Sequence, residues 1–84
     1  MQHRERYEQY LAARPLGAET IASYCSRIGT VEKALGSEVD TLLLAGLSQL
    51  LDKIQSSNPH FAGLSAPQLS DLRTAVRRYA EALA

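Results

Sequence analysis

The sequence predicts an all-α fold, a compact orthogonal bundle of four to five helices. Three observations carry that expectation. Apolar residues recur at three- and four-residue spacing through most of the chain, and alternating strand patterns are absent. Pro, Gly and Ser fall between the periodic stretches, where they stop one helix and open the next. The 84 residues fit a single domain, 1–84, and thirteen Leu, three Ile, three Val, four Tyr and one Phe furnish its core.

The first helix is predicted over residues 3–13, with Tyr7, Tyr10 and Leu11 as its buried set. Arg14-Pro15-Leu16-Gly17 stops it, because a residue before proline is pushed out of the helical region. The second helix runs from about Ala18 to Leu35 and carries Ile21, Tyr24, Cys25, Ile28, Val31 and Leu35 on one face. Gly36 is placed to end it in the left-handed conformation. Ser37 is positioned to cap a short third helix across Val39, Leu42 and Leu43. Gly46 separates that helix from a fourth carrying Leu47, Leu50, Leu51 and Ile54. Ser56 to Leu64 reads as a loop pinned to the core by Phe61 or Leu64.

The last helix opens with Ser65-Ala66-Pro67-Gln68. Ser followed three residues later by Gln is a capping box, and proline is tolerated in a first turn. Its apolar stripe is Leu69, Leu72, Val76, Tyr79 and Leu83. The pattern reaches Ala84 with no stop signal, so the helix either frays there or continues into a longer protein.

Several function classes are set aside by composition. The longest apolar stretch, Leu42 to Leu51, is interrupted by Gly46, Ser48 and Gln49, whereas a membrane-spanning helix needs roughly 20 mostly apolar residues. No apolar signal segment follows Met1-Gln2-His3-Arg4, which makes a cytoplasmic setting the expectation. One cysteine, Cys25, forms no internal disulfide, and with two scattered histidines it makes no standard zinc site. No cofactor is expected. Neither His3 nor His60 has the partners of a catalytic triad, and no paired acid and base stand out, so an enzyme is the least favoured class.

The formal charge is +0, from nine basic and nine acidic residues. That balance counts against strong non-specific binding to nucleic acid, but the charge is unevenly spread. Residues 37–65 hold Lys53 against Glu38, Asp40 and Asp52, whereas residues 66–84 hold Arg73, Arg77 and Arg78 against Asp71 and Glu81.

Two segments together resemble a known domain. One is Tyr10-Leu11, a Pro-Gly turn, then Thr20-Ile21-Ala22-Ser23-Tyr24 with Ile28 and Val31 following. The other is Leu72-Arg73-Thr74-Ala75-Val76-Arg77-Arg78-Tyr79 with Leu83 beyond it. The pairing resembles the N-terminal core-binding domain of tyrosine recombinases and phage integrases, over roughly residues 5 to 83. The resemblance implies a sterile-alpha-motif-like (SAM-like) bundle that grips one side of double-stranded DNA. It also implies a separate C-terminal catalytic domain as partner, which brings the catalytic arginines and the tyrosine nucleophile. No catalytic role therefore carries over to this chain.

Residue chemistry bears on that implication. Opposite the apolar stripe of the second helix lie Ser23, Ser26, Thr30 and Lys33, with Arg27 on one flank. On the last helix Arg73 and Arg77 are one turn apart on one edge, and Arg78 points outward. The candidate DNA-binding residues are Arg27, Lys33, Arg73, Arg77 and Arg78, expected on a shared flank as phosphate contacts that position rather than specify. Binding by the isolated domain is expected to be weak. The same faces are also what ordinary solvated helix surfaces look like, and Arg73 and Arg77 have nearby acids to pair with. Cys25 reads as a small core residue, the four tyrosines as core or core-edge aromatics, and Glu32 as the partner of an Arg on a neighbouring helix. The alternative function is a protein-interaction or self-association domain using Leu42–Leu51.

Overall fold

Helix boundaries follow the local signals. The computed structural model describes all 84 residues, Met1–Ala84. It contains α1 (Arg4–Ala12), α2 (Ala18–Leu35), α3 (Val39–Leu42), α4 (Leu47–Lys53) and α5 (Ala66–Leu83). Short 3₁₀ turns at Leu43–Ala45 and Pro59–Phe61 complete the chain, and there are no strands. The Ser65 hydroxyl accepts from the Gln68 N–H while the Gln68 side chain accepts from the Ser65 N–H, so the capping box is formed. Gly36 sits at φ 71°, in the left-handed region open to glycine at little cost, and its N–H caps α2 at the carbonyl of Glu32.

α3 starts differently from the expectation. Its N-cap is Glu38, and no side chain caps it. The Glu32 carboxylate does related work from outside, accepting the backbone N–H of Val39 at 2.9 Å. The same oxygen takes the Met1 ammonium at 2.7 Å. Glu32 thus joins α2 to the first residue and to α3, and no arginine is its partner.

α5 lies along α2, α1 and α4. Its buried face is Leu69, Leu72, Ala75, Val76, Tyr79 and Ala82. Tyr7 of α1 meets Tyr79 edge to face, with ring centroids 5.2 Å apart and planes at 86°, the arrangement that aligns a ring's positive edge with its neighbour's negative face. Both hydroxyls are satisfied. Tyr7 donates to the Ala75 carbonyl at 2.9 Å, and Tyr79 donates to Asp40 Oδ1 at 2.5 Å. Leu11 of α1, Cys25, Ile28 and Val31 of α2, and Val39, Leu50, Ile54 and Phe61 close the rest of the core. Phe61, rather than the half-buried Leu64, pins the loop. Tyr10 is half-exposed and leaves the expected buried set of α1. The radius of gyration, 12.2 Å, matches the value of about 12 Å for a compact chain of this length.

Candidate nucleic-acid interface

α5 has two edges flanking its buried face, and they meet different neighbours. Residues two apart on a helix point about 200° away from each other. Asp71 therefore lies on one side and Arg73 on the other. The Asp71 side faces α2, where Arg27 Nη2 approaches Asp71 Oδ2 at 3.8 Å. The Arg73 side faces α4.

At that second edge Arg73 is half-buried, and its Nη1 donates to the backbone carbonyl of Ile54 at 2.6 Å. Ile54 is the C-cap of α4. Carbonyls at a helix C-terminus lack intrahelical partners and carry the negative end of the helix dipole, so a guanidinium suits the position twice over. Arg77, one turn further along α5, is exposed. It takes part in no ion pair and donates no hydrogen bond within the chain. Between the two helices lies an open cleft of about 570 Å³ with Leu51, Ala66 and Leu69 among its lining residues. Ser48, Asp52, Gln55, Ser56, Arg73 and Arg77 supply the polar groups. Asp52 pairs with neither arginine, so two guanidinium groups face one carboxylate and the cleft carries a net positive charge.

The other candidate cations lie elsewhere. Arg27 stands over the Tyr24 ring at 5.4 Å from its centroid, beside Asp71. Lys33 is exposed on α2, about a third of a turn round the helix from Arg27. Arg78 Nη1 donates to Glu81 Oε2 at 3.2 Å, and the same oxygen accepts a short hydrogen bond from the Tyr10 hydroxyl. Those two bonds, Tyr10's the stronger, hold the Glu81 carboxyl below the usual carboxylate range. Arg14 closes this group, lying 3.9 Å over the Tyr10 ring and donating to its hydroxyl at 2.6 Å.

The single shared flank expected from helical wheels is therefore absent. A wheel places a residue round its own axis but leaves open which neighbour each edge of α5 will meet. Arg73 and Arg77 are brought together on the α4 side, Arg27 meets Asp71 on the opposite edge of α5, Arg78 follows two turns beyond Asp71 on that edge and pairs with Glu81, and Lys33 lies outside the cleft on α2. Ser48, Gln55 and Ser56 were not singled out from the sequence. They enter the site only because α4 packs beside α5.

No protein-family model, curated protein or solved structure matches this chain. The remaining chemistry-bearing residues form no second constellation. His3 and His60 are exposed, one just before α1 and the other in the Pro59–Phe61 turn, and no three His, Cys, Asp or Glu side chains gather as metal ligands. Cys25 is 4% exposed, and burial pushes its thiol pKa up. No helix is long and apolar enough to cross a membrane.

Proposed function

We propose that this chain is a non-catalytic DNA-binding accessory domain of the kind its sequence resembles, the core-binding domain of tyrosine recombinases and phage integrases. One observation carries the reading. Arg77 is an exposed cation with no partner in the chain, one turn from Arg73 on the edge of a cleft lined by hydroxyl and amide groups. Guanidinium groups beside small donors suit phosphate oxygens, which fix a protein on the duplex without reading sequence. Arg27, Lys33 and Arg78 lie on other sides of the helices and enter this reading through the long-range field. With a formal charge of +0 binding is weak. Two or three phosphate contacts give a slope of log affinity against log salt of about −2 to −3. The test is anisotropy of a labelled duplex across a salt series, with amide shifts mapped by NMR. Salt-dependent shifts along α5 and α4 are the expected result. Salt-independent binding, or shifts confined to α3, would sink the reading.

A second reading has its own observation. Leu44 is 85% exposed, and of the leucine-rich stretch Leu42–Leu51 only Leu50 is buried. Single exposed leucines are common on monomers, but Leu42, Leu43, Leu47 and Leu51 are half-covered beside this one. A protein partner docking there is the alternative function. Sedimentation of the wild type and of Leu44→Ser at high concentration tests its self-association form. A concentration-independent monomer for both removes it.

A further inference from the structure

We infer that the cleft between α4 and α5 is a seat for one phosphate group, with Arg73 held in place for it by the end of α4. The inference rests on the reading of Arg73 and Arg77 as phosphate contacts and narrows it to a single site.

The argument starts from Arg73. A free arginine side chain loses considerable rotamer freedom when a ligand immobilises it. Here the bond from Nη1 to the Ile54 carbonyl, at 2.6 Å, fixes the guanidinium before any ligand arrives. A guanidinium has five N–H donors, so one bond leaves several for an anion. Arg77 follows one turn later with all its donors free, and Ser48 and Ser56 bring hydroxyl groups to the same cleft. Asp52 is the one acid there. Its failure to pair with either arginine leaves both charges unneutralised.

Tetrahedral oxyanions with several acceptor oxygens fit this donor set, and phosphate is the one the nucleic-acid reading supplies. It has two sources, the terminal phosphomonoester of a strand and the internal phosphodiesters of its backbone. The shared chemistry is a phosphoryl oxygen group accepting from two guanidiniums. Gln55 and the serines are positioned to orient it by further hydrogen bonds.

The experiment is an NMR titration of the 84-residue chain with inorganic phosphate at constant ionic strength, chloride being the control. Saturable movement of the Ser48, Ser56, Arg73 and Arg77 signals with phosphate and not chloride is the expected result. Arg77→Ala should weaken it by about tenfold, the loss of one charge-assisted contact. Arg73→Ala also removes the bond to Ile54, so Arg77→Ala and Arg73→Lys are the deciding variants. A non-saturating response, shifts spread evenly over all basic residues, or an Arg77→Ala variant that binds phosphate as the wild type does would overturn the site. Duplexes with and without a 5′-phosphate separate the two sources: tighter binding of the phosphorylated end assigns the monoester, equal binding the backbone. If the wild type binds duplex in a salt-dependent way while phosphate leaves the cleft signals unmoved, the seat is wrong and the broader reading stands. If phosphate binds at the cleft but no duplex binds, the reverse holds.

Discussion

Arg73 Nη1 and the carbonyl oxygen of Ile54 are 2.6 Å apart, a charge-assisted bond that ties α5 to the C-cap of α4. Removing the guanidinium leaves a carbonyl at a helix end without that partner. Arg73→Ala is therefore expected to lower stability by about 1–3 kcal/mol. Arg77→Ala touches no bond in the chain and should stay within about 0.5 kcal/mol of wild type. Urea unfolding of both variants checks this. Equal midpoints would show that the Ile54 bond contributes nothing net.

Asp71 sits 3.8 Å from Arg27, the carboxylate exposed and the arginine half-buried at the surface. Exposed pairs of this kind contribute about 0–1 kcal/mol, so Asp71→Asn should leave the unfolding midpoint nearly unchanged. It also removes a negative charge from the field around α5 and frees the Arg27 guanidinium to add to it. Duplex affinity is expected to rise about two- to fivefold at low salt, with the gain shrinking as salt screens it. Anisotropy at two salt concentrations reads the difference. A fall in affinity would mean that Asp71 itself supports binding.

Asp40 gives a pH signature. Burial alone would raise its carboxyl pKa, but hydrogen bonds from the Tyr79 hydroxyl and the Gln2 backbone N–H outweigh burial and hold it below the usual value. A carboxyl lowered in the folded state contributes stability that is fully present above its unfolded pKa, about 3.9. That contribution is lost as pH falls through the lower folded value. Wild-type stability should therefore drop on acidification below about pH 4. In Asp40→Asn this part of the acid limb should flatten. Urea midpoints from neutral pH downward test it, and an acid limb of unchanged slope in Asp40→Asn would refute it.

The sequence carried most of what is decided locally. Ser65 and Gln68 lie within one helical turn, so their reciprocal cap was legible, as was the left-handed stop at Gly36. The helical spacing likewise picked out Tyr7, Ile28, Val31, Leu72, Val76 and Tyr79. What failed depends on contacts between elements. Tyr10 has the spacing of a core residue but meets Arg14 and Glu81 at the surface. Glu32 lies on the edge of the α2 stripe, and its partners, Met1 and the start of α3, are set by the tertiary path of the chain. Ala75 and Ala82 are buried because α5 lies close to its neighbours there, a closeness their small side chains permit and no periodicity announces. The cleft was invisible for the same reason: Ser48 in α4, and Gln55 and Ser56 just after it, meet Arg73 and Arg77 only through α4–α5 packing.

Cys25 supplies a measure of how tightly α2 is held. Its side chain is 4% exposed, and burial raises the thiol pKa, so both access and thiolate formation oppose reaction. Alkylation in native buffer at neutral pH should be slower than for the unfolded chain by a factor that follows the opening equilibrium of α2. Stoichiometric labelling should appear only when denaturant unfolds the protein. Substitution gives the complementary result. Cys25→Ala removes one sulfur from a close-packed site and is expected to cost about 1 kcal/mol. Cys25→Ser is nearly isosteric but buries a hydroxyl among apolar side chains, at about 1–3 kcal/mol if no acceptor is reached. Serine should therefore be the worse replacement despite its closer shape. Thiol titration with and without urea, and the unfolding midpoints of the two variants, test the pair. Rapid native labelling together with a serine variant as stable as wild type would place Cys25 at the surface and α2 in looser contact with α1 than the buried Tyr7 and Leu11 imply.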